Sequence, residues 1–263
     1  MTKLEIKMLN FLKELKKKYS VVGIKAEFEA EGSRLTELLR LKEIVAKAGL
    51  GLTIKTGGAE AIRDLYDARL IGVSGIVAPM IESPFALKKF LSAIDTAFPE
   101  KEEREDISFF VNIETIDAYN NFDEMLEIEN INKLAGIVLG RSDMSCSLGL
   151  AKKDINSTKL FKIAETLIKK IKKKDLKFII GGSVDIKSLD FFNKLPKTNF
   201  VGFETRKVIF ECPTALNRQA KEGIQKALEF ELLWLLNKKD YYNKISAEDS
   251  ERIKKLQKKY NLK

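Results

Sequence analysis

Histidine is absent from all 263 residues. Its absence rules out the usual Ser/His/Asp and Cys/His nucleophile arrangements, so any proton transfer must fall to a carboxylate, a lysine, a tyrosine or a metal-bound water. Cysteine is nearly absent too. Cys146 and Cys212 share no metal-ligand spacing and cannot form a disulfide framework in a chain this long, as expected of a protein from a reducing cytoplasm. No stretch of 18 uninterrupted apolar residues occurs, and Glu5 and Lys7 break the apolar positions of the N-terminal segment. A soluble cytoplasmic protein with no membrane partner is therefore expected. The GxxxxGK[ST], GxGxxG and GxSxG signatures are also missing, which removes the common routes to purine-nucleotide binding and the hydrolase nucleophile elbow.

Positive charge is in excess, with 47 Lys and Arg against 38 Asp and Glu and a net charge of +9. Most of it sits in runs such as Lys16-Lys17-Lys18, Lys172-Lys173-Lys174 and Lys258-Lys259, all within stretches of helical periodicity. These read as solvated helix faces, and without interleaved aromatics they offer no stacking platform, so nucleic acid is not an expected partner.

The apolar pattern alternates short β-rich runs with helical stretches. Strand-like runs lie at 21–28, 50–56, 73–79, 107–114, 135–140, 177–181 and 200–204, apolar without strict alternation, as parallel strands covered on both faces should be. With a helical stretch in most of the intervals, the expected fold is α/β, a (β/α)8 TIM barrel with a long C-terminal helix and a helical tail. Seven strands are evident. The eighth is expected either before Val21 or in the Arg206–Phe210 segment, and a doubly wound open sheet is the alternative fold. Residues 1–237 read as one catalytic domain, with an amphipathic helix at 3–19. Residues 238–263 read as a lysine-rich tail, its helix opened afresh by a Ser246 to Asp249 capping signal. The helix expected over 214–237 is apolar around much of its circumference, which predicts a homo-oligomer formed through it.

Two acidic signals each close a strand-like run: Asn112-Ile113-Glu114-Thr115, and the loop Gly140-Arg141-Ser142-Asp143-Met144-Ser145. Glu114 and Asp143 are 29 residues apart, about one strand-plus-helix unit, so a parallel barrel would set them on adjacent strand ends. Such hard oxygen donors favour Mg²⁺ or Mn²⁺. Capping of the next helix, or pairing with an arginine, is the plainer role for each. Within the segments Gly72 to Ser83, Ile113-Glu114-Thr115, and Gly136 to Ser145 with Ser147-Leu148-Gly149, the chain resembles, in order and spacing, the HpcH/HpaI aldolase and citrate lyase family over roughly residues 20–210.

That resemblance implies a metal-dependent barrel making or breaking a carbon–carbon bond beside a carbonyl through an enolate. Glu114 and Asp143 would then ligate the metal, while the backbone amides of Gly140, Arg141, Ser142 and Asp143 would hold a substrate carboxylate. Lys55 occupies the place where the family often has an arginine steadying the enolate oxygen, with pairing to a barrel carboxylate as its plainer role. The family's histidine base has no counterpart here. In Lys25-Ala26-Glu27-Phe28-Glu29, strand alternation puts Lys25, Glu27 and Glu29 on one side, so Glu27 or Glu29 is the candidate base, and a salt-bridge ladder on an edge strand the alternative. Glu82 is expected near the mouth or capping the next helix, and Gly181-Gly182-Ser183 either cradles an anion or merely turns the chain. Arg206 is expected to neutralise a distal substrate carboxylate or phosphate or to form an internal ion pair, and Cys146 to pack as a small residue. The expected activity is a lyase or aldolase acting on a small carboxylate, a 2-oxo acid such as pyruvate or oxaloacetate, or an acyl thioester. The alternatives are a condensing synthase using the same chemistry and a non-catalytic basic binding protein on a decayed barrel.

Overall fold

The computed structural model describes residues 1–151 and 154–262. Eight strands close into a barrel in sequence order. They are β1 (Val21–Glu27), β2 (Gly51–Lys55), β3 (Gly75–Ala78), β4 (Ser108–Ile113), β5 (Gly136–Gly140), β6 (Lys177–Gly181), β7 (Phe200–Glu204) and β8 (Val208–Glu211). The outer layer is built mainly by α1 (Lys3–Tyr19), α2 (Leu35–Lys47), α3 (Ile62–Ile71), α4 (Pro84–Ala97), α5 (Lys101–Glu105), α6 (Ile116–Asn120), α7 (Phe122–Leu126), α8 (Arg141–Ser147), α9 (Thr158–Ile171), α10 (Leu189–Lys194) and α11 (Ala220–Tyr260). The TIM-barrel expectation holds, with one difference.

The eighth strand comes from the Arg206–Phe210 region, but it runs antiparallel to both β7 and β1, whereas β1 to β7 form one parallel ladder. The reason is length. Only Thr205-Arg206-Lys207 join β7 to β8, and a parallel crossover needs a dozen residues or more. Thr205 closes a hairpin instead: its N–H donates to the Val208 carbonyl at 2.9 Å, and its Oγ1 accepts from the Val208 N–H at 3.1 Å. The hairpin tip therefore sits at the carboxyl end of β7, the barrel end where (β/α)8 proteins build their sites.

Inside the barrel, alternation stacks two layers of different chemistry. Val77, Phe110, Val138 and Ile179 form a small apolar cluster separate from the main core. Two residues further along β4 the inward positions become Asn112 and then Glu114, and the strand ends around them supply Lys25, Lys55 and Glu204, all buried. The floor is hydrocarbon and the mouth is charged.

α11 runs unbroken for 41 residues, so the capping signal at Ser246–Asp249 starts no new helix. No glycine or proline lies between Ile224 and Tyr260 to interrupt the backbone ladder, and the Ser250 hydroxyl bonds back to the Ser246 carbonyl at 2.7 Å within the helix. Ile224, Phe230, Leu233 and Trp234 bury one face, part of it against Met8, Leu12 and Leu15 of α1. Leu228, Leu232, Leu235 and Leu236 are exposed, as is the chain from Asn243 to Leu262. Among the described residues, no helix is long and apolar enough to cross a membrane.

Candidate active site

A cavity of about 470 Å³ opens at the carboxyl ends of the strands. Glu114, the residue after β4, is 1% exposed, and each of its oxygens is held by the protein. Oε1 accepts from the Met80 N–H at 3.0 Å, and Oε2 accepts from Asn112 Nδ2 at 2.7 Å. Burial raises its pKa above the ordinary glutamate value of 4.5, against the pull of Lys55, Met80 and Asn112, and nearby Asp143 pushes it the same way. Asp143 is in the first turn of α8, directly after β5, the hydrogen-bonded neighbour of β4. Both carboxylates line the cavity. Gly140 is needed for this approach, since a Cβ there would lie 2.6 Å from Glu114 Oε2.

The inward side of β1 carries Lys25 and Glu27, both buried, with Glu29 just past the strand. They belong to closed-barrel walls, so the edge-strand ladder does not exist. Lys25 Nζ is paired with Glu204 at the end of β7 and lies 3.4 Å from Glu27. Lys55 Nζ, at the end of β2, lies 2.8 Å from Glu29 and 3.6 Å from Glu114. Burial opposes the ammonium of each lysine, but the carboxylates outweigh it and both pKa values rise, so both remain cations. Arg206, at the hairpin tip, is half exposed and reaches Glu31 at 3.2 Å and Glu27 at 3.9 Å. Beneath it Lys207 is buried against Glu31, its pKa lowered by burial that this partner only partly offsets.

Glu82 and Cys146 lie elsewhere than the sequence reading put them, whereas Arg141 was expected to serve through its backbone amide. The Arg141 side chain is fully buried and does not line the cavity. Its guanidinium donates to the carbonyls of Gly181 at 3.1 Å and Gly182 at 3.0 Å, to Asn156 Oδ1 at 2.6 Å and to Ser188 Oγ at 3.1 Å, with the Phe191 and Phe192 rings alongside. Burial brings its pKa down to about 10. Only its backbone remains for substrate. Glu82 does not line the cavity, and Ser83 rather than Glu82 caps α4. Cys146 is exposed instead of packed. Ser142 and Ser183 do face the cavity, their hydroxyls 2.8 Å apart. A Cβ on Gly182 would meet the amide nitrogens of Ser142 and Arg141 at 2.5 and 2.6 Å, so a glycine keeps that cradle open.

Sequence reasoning passed over Asn112, Glu204 and Glu231 as site residues. Asn112 was findable, because it alternates with Glu114 and so shares its face. Its Oδ1 is buried without a hydrogen-bond partner. This orphaned oxygen, with the carboxylates of Glu114 and Asp143, makes a set of hard donors around one cavity that fits Mg²⁺ or Mn²⁺. Among the described residues no three His, Cys, Asp or Glu side chains are grouped to share an ion, so such a cation would take the rest of its shell from other oxygens.

The HpcH/HpaI aldolase/citrate lyase family model matches residues 39–209, about two thirds of the sequence. The chain belongs to the HpcH/HpaI aldolase/citrate lyase family. Among solved structures, the citrate synthase SbnG aligns over 89% of this chain and 90% of its own, with 16% identity and a TM-score of 0.60. The HpcH/HpaI aldolase from Desulfitobacterium hafniense DCB-2 covers 71% and 78% at 13% identity and a TM-score of 0.57. A family member from Burkholderia cenocepacia J2315 covers 71% and 80% at 12% identity and a TM-score of 0.55. At such identities these likenesses bear on the fold alone. No curated protein matches the sequence. HpcH/HpaI proteins are lyases and aldolases, generally dependent on a divalent metal. The family match begins after β1, so the strand bearing Lys25 and Glu27 lies outside the part that carries the family's pattern.

Proposed function

We propose that this chain is a Mg²⁺- or Mn²⁺-dependent cytoplasmic lyase or aldolase that forms the enolate of a 2-oxo acid and breaks or makes a carbon–carbon bond at its carbon-3. The observation that carries the reading is the meeting of Glu114, Asp143 and the unpartnered Asn112 oxygen around one cavity at the ends of β4 and β5. These residues would hold the cation. When bound, it would supply Lewis-acid polarisation of the substrate's keto group. The substrate carboxylate would lie on the open amides of Arg141 and Ser142, beside Gly140. Lys55, kept ammonium by two carboxylates, would place positive charge beside the oxygen that becomes negative. Glu27 or Glu29 would take the proton from the carbon next to the carbonyl, and Gln substitution at each in turn would tell them apart.

Calorimetric titration with Mn²⁺ tests this reading. Binding should be lost in Glu114→Gln and in Asp143→Asn while the circular dichroism spectrum is unchanged. Absence of Mn²⁺ binding by the unaltered protein would favour a non-catalytic binding role. Direction is a separate question, since the solved relatives are named both as an aldolase and as a citrate synthase; running the reaction from both sides with pyruvate and oxaloacetate addresses it. The exposed Leu228, Leu232, Leu235 and Leu236 support a homo-oligomer formed through α11.

A further inference from the structure

The charge balance of the cavity limits what can react there. Among the described residues its wall carries six carboxylates and three cations, on a protein whose net charge is +9. Each of the three cations is already committed. Lys25 is held by Glu204 and Glu27, Lys55 by Glu29 and Glu114, and Arg206 by Glu31 and Glu27. A divalent cation would still leave the wall net negative, and the 2-oxo acid adds one negative charge more. Opposite the β4–β5 side the wall is made by Glu231 and Leu228 of α11, near Arg206. Glu231 makes no ion pair within 4 Å among the described residues, and burial raises its pKa. A phosphate or second carboxylate there would find no free cation among the described residues and would be repelled: two like charges 4 Å apart oppose binding by about fivefold in bulk water and by far more near a protein surface. Hydroxyl groups fare differently. Carboxylates accept from them, and the Ser142–Ser183 hydroxyl pair can donate or accept.

Building on the activity proposed above, we infer that the carbonyl partner at this site is an uncharged, hydroxyl-bearing aldehyde, and that aldehydes bearing phosphate or carboxylate are rejected. The chemistry balances without any oxidant or reductant. A wall carboxylate removes a proton from the methyl carbon of the 2-oxo acid, and that carbon bonds to the aldehyde carbon. The carbonyl π pair moves to the aldehyde oxygen, which takes up a proton; cleavage is the reverse.

Two measurements on the Mn²⁺-loaded protein test this. Deuterium exchange into the methyl group of pyruvate needs no acceptor and reports enolate formation alone. The second measurement compares kcat/KM for D-glyceraldehyde and D-glyceraldehyde 3-phosphate, which differ in the phosphate. The expected result is exchange together with a preference of at least about fivefold for the uncharged aldehyde, the lower end of the repulsion above. In Glu231→Gln the preference should shrink severalfold. Exchange with equal or better use of the phosphorylated aldehyde would overturn the acceptor assignment and leave the lyase reading standing. No exchange would remove the enolate reading and this inference with it.

Discussion

The two sides of the barrel mouth solve the same problem in opposite ways. On the β5–β6 side, Arg141 is buried among neutral acceptors: two carbonyls, an amide oxygen and a hydroxyl. On the β1–β2–β7 side, Lys25 and Lys55 are buried among carboxylates and border the cavity. A guanidinium whose donors are spent on fixed acceptors can rigidify a loop but has nothing left for a ligand. The lysines keep their charge through partners that also face the substrate space, so a change in one is felt by the others. Burying such pairs seldom adds net stability, because desolvation consumes most of the attraction. Their place in the cavity, rather than stability, accounts for them.

Removing Arg141 should produce the largest effect on folding. Arg141→Met leaves the Gly181 and Gly182 carbonyls, Asn156 and Ser188 short of donors and alters a packed site between two rings. A loss of about 3–5 kcal/mol is expected in urea denaturation. A loss under 1 kcal/mol would erase the contrast between the two sides.

Glu114→Gln should do the reverse, lowering kcat/KM about 10²–10³-fold, or about 3–4 kcal/mol of barrier, with no loss of stability. The sign follows from the raised pKa. The unfolded chain releases this proton at a lower pH than the folded one, so Glu114 contributes stability below the ordinary value of 4.5 that is lost as pH rises through its folded value. Denaturation of both proteins from pH 4 to 8 should show the unaltered chain losing ground to Glu114→Gln on the alkaline side. A difference that widens in favour of the unaltered chain as pH rises would mean that Lys55 and Asn112 outweigh burial.

How far the sequence carried these features depends on range. Seven strands were legible because each is a short apolar run, and Glu114 and Asp143 because each closes one. The direction of β8 was not, since Thr205-Arg206-Lys207 lacks the glycine or asparagine that marks a tight hairpin. The tail helix misled for a similar reason: a capping signal is a local preference, and without a helix breaker the ladder ran through it. Pairings across the barrel were out of reach, because Lys25 with Glu204 and Lys207 with Glu31 join residues 179 and 176 positions apart. The same holds for Arg141, whose carbonyl partners lie 40 and 41 positions away. Spacing could place its Cα at the mouth but not turn its side chain into the wall.

Arg206 offers the smallest effect and the finest discrimination. Its side chain is half exposed, with partners at 3.2 and 3.9 Å, so solvent screens the pairs and Arg206→Gln should cost no more than about 1 kcal/mol of stability. The consequence for chemistry has a definite direction. Removing a committed cation makes the wall more negative, so the preference for D-glyceraldehyde over its 3-phosphate should widen, opposite to the narrowing expected from Glu231→Gln. Competition between the two aldehydes in one reaction vessel measures that ratio without absolute rates. If Arg206→Gln instead abolished use of every acceptor equally, Arg206 would be binding substrate directly, and the division between committed and available cations would fail at the hairpin tip.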